Sequence, residues 1–95
     1  MTTFTTETGA TFAVKGDAAG TLIHNAANGT LAAMVSPTDD AGTAWVANVW
    51  AAFCKGDAAV YREEARPSGY IVRSYASRME ATVFAFRALG RLAVA

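Results

Sequence analysis

The sequence predicts an α+β fold: a small antiparallel sheet of about four to six strands packed by one central amphipathic helix over about 37–55, with a place for a second helix at the C-terminus. Three observations point there. Ten of the eleven threonines lie within the first 43 residues, and threonine favours strands. Asn28-Gly29 sits between two apolar runs, a strong short-range hairpin signal. Trp45, Val46, Val49, Trp50 and Phe53 recur at spacings of three and four, the mark of one helix face.

The elements follow in order. Phe4 and Phe12 lie among threonines, and glycines punctuate the region, so short strands alternate with turns. A hairpin turn accounts for Gly16-Asp17-Ala18-Ala19-Gly20, which lacks the lysine-threonine and βαβ context of a phosphate loop. A two-residue turn at Asn28-Gly29 joins a strand near 21–27 to one near 30–35. In that register Ile23 opposes Met34, Leu22 opposes Val35 and His24 opposes Ala33. His24 then shares the core side with Leu22, Leu31 and Val35.

For the central helix, Ser36 serves as N-cap, Pro37 takes the first helical position and Asp39 the first turn. Gly56 is placed as its stop. Trp50 on its apolar face is expected to be a core residue. Arg66-Pro67-Ser68-Gly69 reads as a type I turn. With a bulge at Gly69 it pairs Glu63 with Arg73 and Tyr61 with Tyr75 across a hairpin. The competing reading is a short helix over 58–66, started by Asp57 and stopped by Pro67. Ser77-Arg78-Met79-Glu80 matches a capping box and favours a helix to Gly90. Thr82 to Phe86 also reads as a strand, and periodicity does not separate the two.

Composition bounds the function. The 95 residues make a single compact domain, 1–95. The chain is 53% hydrophobic, but 22 residues are alanine, and Leu, Ile, Val and Phe together number 19. That suffices for one small core and argues against a dinucleotide-binding domain or a deep cofactor pocket; no cofactor is expected. Net charge is zero, unlike a typical nucleic-acid-binding domain. Residues 1–47 carry a net of −3 and residues 48–95 a net of +3. One cysteine, no basic-then-apolar N-terminal segment and no long uncharged apolar run lead to the expectation of a soluble cytoplasmic chain without membrane contact.

Candidate chemistry is sparse. His24 and Cys54 are the single histidine and the single cysteine. They are too few for a Cys/His metal site, and no hydrolase motif flanks either. Asp39-Asp40 suits a helix N-terminus. Glu63-Glu64 reads as a solvated pair, because adjacent strand residues point to opposite faces. The chain is therefore expected not to be an enzyme.

Two binding classes stand, with an oligomeric structural or assembly protein as a further alternative. Arg62, Arg66, Arg73, Arg78, Arg87 and Arg91, interleaved with Tyr61, Tyr70 and Tyr75, could track a nucleic-acid backbone. Glutamates nearby, and the splitting of the set over two faces, weigh against that partner. Protein binding is favoured: Arg and Tyr are what interface hot spots use, and Arg62, Arg66, Tyr70 and Arg73 flank a rigid turn. A homodimer is expected as well, since a short chain with a modest core gains from burying more apolar surface.

With its Met1-Thr2-Thr3-Phe4-Thr5-Thr6 opening and its size, the chain resembles the small phage-encoded anti-CRISPR and related anti-defence proteins. That resemblance implies a single compact domain without catalytic residues that blocks one host protein complex. Many of those proteins are strongly acidic mimics of DNA. This neutral chain departs from that pattern, which turns the expectation toward blocking of a protein surface.

Overall fold

The computed structural model describes residues 2–90, and Arg91, from the arginine series above, lies outside them. The fold is α+β. Six strands, β1 (Thr2–Thr5), β2 (Thr11–Asp17), β3 (Gly20–Asn25), β4 (Leu31–Pro37), β5 (Trp45–Trp50) and β6 (Tyr70–Tyr75), form one antiparallel sheet whose spatial order is the chain order. A short 3-10 turn (Ala51–Phe53) and a 3-10 helix (Gly56–Glu64) lie between β5 and β6. One α-helix, α1 (Arg78–Ala88), closes the described chain.

The helix expected over 37–55 does not form: Pro37 ends β4, a loop follows, Trp45–Trp50 is the strand β5, Ala51–Phe53 is a 3-10 turn, and the covering helix is instead α1. A six-residue run can satisfy two periods at once, and here the period of two applies. Trp45, Ala47 and Val49 face the core, while Val46, Asn48 and Trp50 face away. Ala47 and Val49 are fully buried and Trp50 only partly. The β-branched and aromatic residues of this segment suit a central strand paired on both sides, and β5 pairs with β4 from Trp45 to Val49 and with β6 from Trp45 to Trp50. Ser36 and Pro37 end β4 rather than starting a helix. Asp39 caps a loop: its carboxylate accepts from the Thr43 backbone N–H at 2.8 Å and from the Thr43 hydroxyl. These bonds hold Asp39 below the usual carboxylate range.

The β3–β4 hairpin also differs from expectation. Asn25 N–H donates to the Thr30 carbonyl at 2.8 Å, so four residues turn the chain. Asn28 keeps a negative φ, and its side-chain oxygen accepts from Thr30 N–H at 2.9 Å. The longer loop and a bulge between Ile23 and His24 shift the register, so Ile23 opposes Ala33 and Leu22 opposes Met34. A one-residue slip moves side chains to the other face. Ile23 is fully buried, whereas Leu22 and His24 stand on the opposite side from the core.

The core lies between the sheet and α1. Val14, Ile23, Ala33, Val49 and Ile71 form one row across five strands, and Gly16, Thr21, Val35, Ala47 and Arg73 form the next. From α1, Ala81, Phe84, Ala85 and Ala88 face them, at helical spacings of three and four. The alanines of both layers let the helix approach β4 and β5 closely. Ser77 caps α1 by accepting from Glu80 N–H at 3.2 Å, as the capping box predicts. Its Glu80 brings a favourable charge to the first turn.

Arg78 fastens the start of α1 to the β2–β3 hairpin. Its Nη2 donates to the Gly20 carbonyl at 2.8 Å and to Thr21 Oγ1 at 3.1 Å, and its guanidinium lies 5.5 Å from the Trp45 ring. Gly20 has a φ of +145°, and a Cβ there would stand 2.1 Å from the Val35 carbonyl oxygen. Only glycine permits that crossing of hairpin and β4.

Candidate protein-binding surfaces

The residues that could carry chemistry are placed apart. Cys54 is fully buried in the core beneath the sheet, and burial pushes its thiol up to about 11. It stays protonated at neutral pH, and a protonated thiol is a poor nucleophile. His24 sits on the other side of the sheet, paired with Ala13 and Leu31. Among the described residues no three His, Cys, Asp or Glu side chains gather as a metal site. No described helix is long and apolar enough to cross a membrane.

The turn at 66–69 forms as the sequence indicates. Gly69 N–H donates to the Arg66 carbonyl at 2.8 Å, Arg66 N–H donates to the Tyr70 carbonyl at 2.9 Å, and Gly69 has a φ of +90°. What precedes it is the 3-10 helix, so among the described residues no strand pairs with β6 on its outer side. Glu64, not Glu63, meets Arg73, through a two-pronged contact that includes Arg73 Nε to Glu64 Oε2 at 2.7 Å. Arg73 holds the Glu64 carboxyl below its usual range. Glu64 in turn, with Tyr75 second, holds the guanidinium charged. Both partners are over a third exposed, so the pair contributes only about 0–1 kcal/mol to stability.

Arg62, Arg66, Tyr70 and Arg73 do not form one patch. Tyr70 and Arg73 are an odd number of residues apart on one strand and point to opposite faces. Arg73 lies on the helix side, 4.3 Å from the Phe84 ring and 5.6 Å from Tyr61. Tyr70 lies against Trp50 on the far side, ring centroids 4.9 Å apart and planes tilted by 60°. Arg62 and Arg66 are exposed along the connection between the two. Arg73 and Arg78 are thus engaged within the domain, which removes two cations from the arginine series.

Two surfaces stand out instead. The first is a groove of about 360 Å³ between α1, β6 and the 3-10 helix, whose lining includes Tyr61, Arg73, Met79, Val83, Phe84 and Arg87. Met79 and Val83, one helical turn apart, are 76% and 42% exposed. Val60 on the neighbouring 3-10 helix is 68% exposed. The sequence left 78–90 undecided between helix and strand, and so hid this pair. Its signal was the spacing of four, off the Ala81–Phe84–Ala85–Ala88 stripe.

The second is the sheet face turned away from α1. No described helix lies over it. Its middle row runs Lys15, Leu22, Met34, Asn48 and Val72. Two shallow hollows flank Met34: one of about 250 Å³ reaching Lys15 and Leu22, the other of about 230 Å³ reaching Leu31, Asn48 and Tyr70. Comparison with protein families, curated proteins and solved structures finds no match to this chain.

Proposed function

We propose that this chain is a non-enzymatic protein-binding module, an inhibitor of the phage anti-defence kind, that acts by covering a surface of a host protein complex. The α1–β6 groove carries this reading. Large apolar side chains left in water on a small domain mark a contact surface. Here Met79 and Val83 stand beside arginine and tyrosine, the residue types that dominate binding energy. Arg73 is already held by Glu64 and stacked near Phe84, so little side-chain freedom remains to be lost on binding. Arg87 at the rim favours a partner with an apolar centre and carboxylates beside it. Cys54 supports the absence of catalysis, since its thiol is buried and protonated.

The test uses the chain as bait in extracts of a bacterium with an active CRISPR defence, together with phage plaquing on that host. The wild-type chain should retain one defence protein in stoichiometric amount and restore plaques. Met79→Glu/Val83→Glu should lose both effects with unchanged thermal stability, while Cys54→Ala and His24→Ala keep them. Arg66→Glu, at the turn beyond the groove, should weaken retention less than the double variant. Retention and plaquing undiminished in the double variant would remove the groove, and loss in a folded Cys54→Ala or His24→Ala would remove the non-enzymatic reading.

A further inference from the structure

We infer that the uncovered sheet face is the interface of a symmetric homodimer, in which two copies stack sheet on sheet and the α1 helices lie outermost. A solvated face of an antiparallel sheet ordinarily alternates polar side chains against a buried opposite face. This face keeps its hydroxyls to the margins, at Thr5 and Thr11 on one side and Ser36 and Ser74 on another, while Leu22, Leu31, Met34 and Val72 form an apolar group toward its centre. Trp50 and Tyr70 lie against each other at its end, their rings tilted by 60°. Among the outward-facing strand residues the Asp, Glu, Lys and Arg side chains are Lys15 and Asp17, of opposite sign and both on β2. The remaining charges of the domain lie in its loops or on the helix side.

A second copy fits this surface better than a charged partner does. The net charge of the chain is zero, so two copies approach without repulsion, a condition that promotes self-association. Size agrees too. Six strands about 4.8 Å apart and about six residues long span roughly 600 Å² in projection. Side-chain relief brings that close to the ~800 Å² per partner of a standard interface. Met34 between its two hollows supplies a knob with a hole on either side, and a two-fold axis in the interface plane presents the same relief from the facing copy. Aligned sheets stack about 10 Å apart with interdigitated side chains, which is the depth a Met–Leu–Tyr layer fills.

This interface is independent of the α1–β6 groove, so either can fail alone. Sedimentation equilibrium of the whole chain from about 1 to 100 µM tests it. The expected mass is twice the 9.9 kDa protomer. Met34→Glu and Leu22→Lys, both at partly or fully exposed positions, should each weaken dimerisation at least 100-fold while keeping the wild-type circular dichroism. Met79→Glu/Val83→Glu, on the other side, should leave the mass doubled. Should Met34→Glu unfold, Leu22→Lys alone decides. A protomer mass for the wild-type chain at 100 µM overturns the inference. So does a doubled mass that persists in the folded sheet-face variants.

Discussion

The two faces of the sheet are made by the same strands, yet different things decide what lies on them. On the covered side Ala33 and Ala47 are fully buried, although alanine has little to gain from burial. On the bare side Leu22 is 36% exposed, although leucine has much to gain. The difference is α1. The helix descends where small residues let it, and the apolar side chains on the outward face are left uncovered by any described element. Hydrophobicity alone therefore does not predict which face is the inside; the position of the covering element does.

Glycine substitutions give the sharpest contrast between the faces. At Gly20 a new Cβ meets the Val35 carbonyl, a backbone atom fixed in the middle of the sheet and close to where Arg78 anchors α1. Gly20→Ala should cost roughly 4 kcal/mol or more, the range of severe backbone conflict. At Gly69 the obstacle, 2.6 Å from a new Cβ, is the Trp50 ring on the bare side. That ring can swing outward, so Gly69→Ala should cost only about 1–2 kcal/mol, mainly for its positive φ. Urea unfolding of both variants measures the difference, and equal losses would show the Trp50 side to be as rigid as the covered one.

Truncations extend the comparison. Ile23→Ala should lose about 3 kcal/mol, because a fully buried side chain leaves a cavity in the core. Trp50→Ala, which a central helix would have made the more damaging change, should lose only about 1–2 kcal/mol, since partial exposure reduces the transfer and cavity contributions. Leu22→Ala should fall below about 1 kcal/mol when measured in dilute solution, where the protomer is read alone. The order Ile23, Trp50, Leu22 is the prediction; its reversal would place the core on the other face.

The smallest effect is a pH dependence confined to the covered side. Burial pushes the Cys54 thiol up from 9.0 to about 11. The folded state thus favours the protonated thiol. That contribution is fully present below pH 9 and is lost as pH rises toward 11. From pH 8 to pH 10 the wild-type chain should lose about 1 kcal/mol more stability than Cys54→Ala. Identical alkaline losses would mean that the thiol is already reached by solvent in the folded protein.

Much of the architecture was legible where a single residue type does a single job. Ser77 and Glu80 marked where a helix could start, with a strand over Thr82–Phe86 still open, and Arg66-Pro67-Ser68-Gly69 announced its turn. The 45–53 segment misled because a spacing of three and four and a spacing of two overlap over six residues, and only the neighbouring strands choose between them. Asn28-Gly29 gave the place of the β3–β4 turn but not its length. Asn25 and Asn28 both use their side chains to close the loop, and that shifted the register by a residue and moved His24 off the core side. The candidate site was less legible. Arg62, Arg66, Tyr70 and Arg73 are neighbours in sequence, but β6 sends Tyr70 and Arg73 to opposite sides. Met79 and Val83 carried no sign of exposure until the Ala81–Ala88 stripe was known to face the sheet.

The order of the strands has a consequence for how the chain is made. Each strand pairs with the one just before it, so the sheet is built from sequential neighbours, which keeps contact order low for a sheet. α1 comes last, and Arg78 ties it to Gly20 and Thr21 across more than half the chain. On the ribosome the six strands therefore emerge before the layer that covers them. In that interval Phe12, Ile23, Val49 and Ile71 are as open to water as Leu22 and Met34, and the nascent sheet is sticky on both sides. The period of greatest risk of aggregation ends when the last dozen described residues arrive and their helix settles onto β4 and β5.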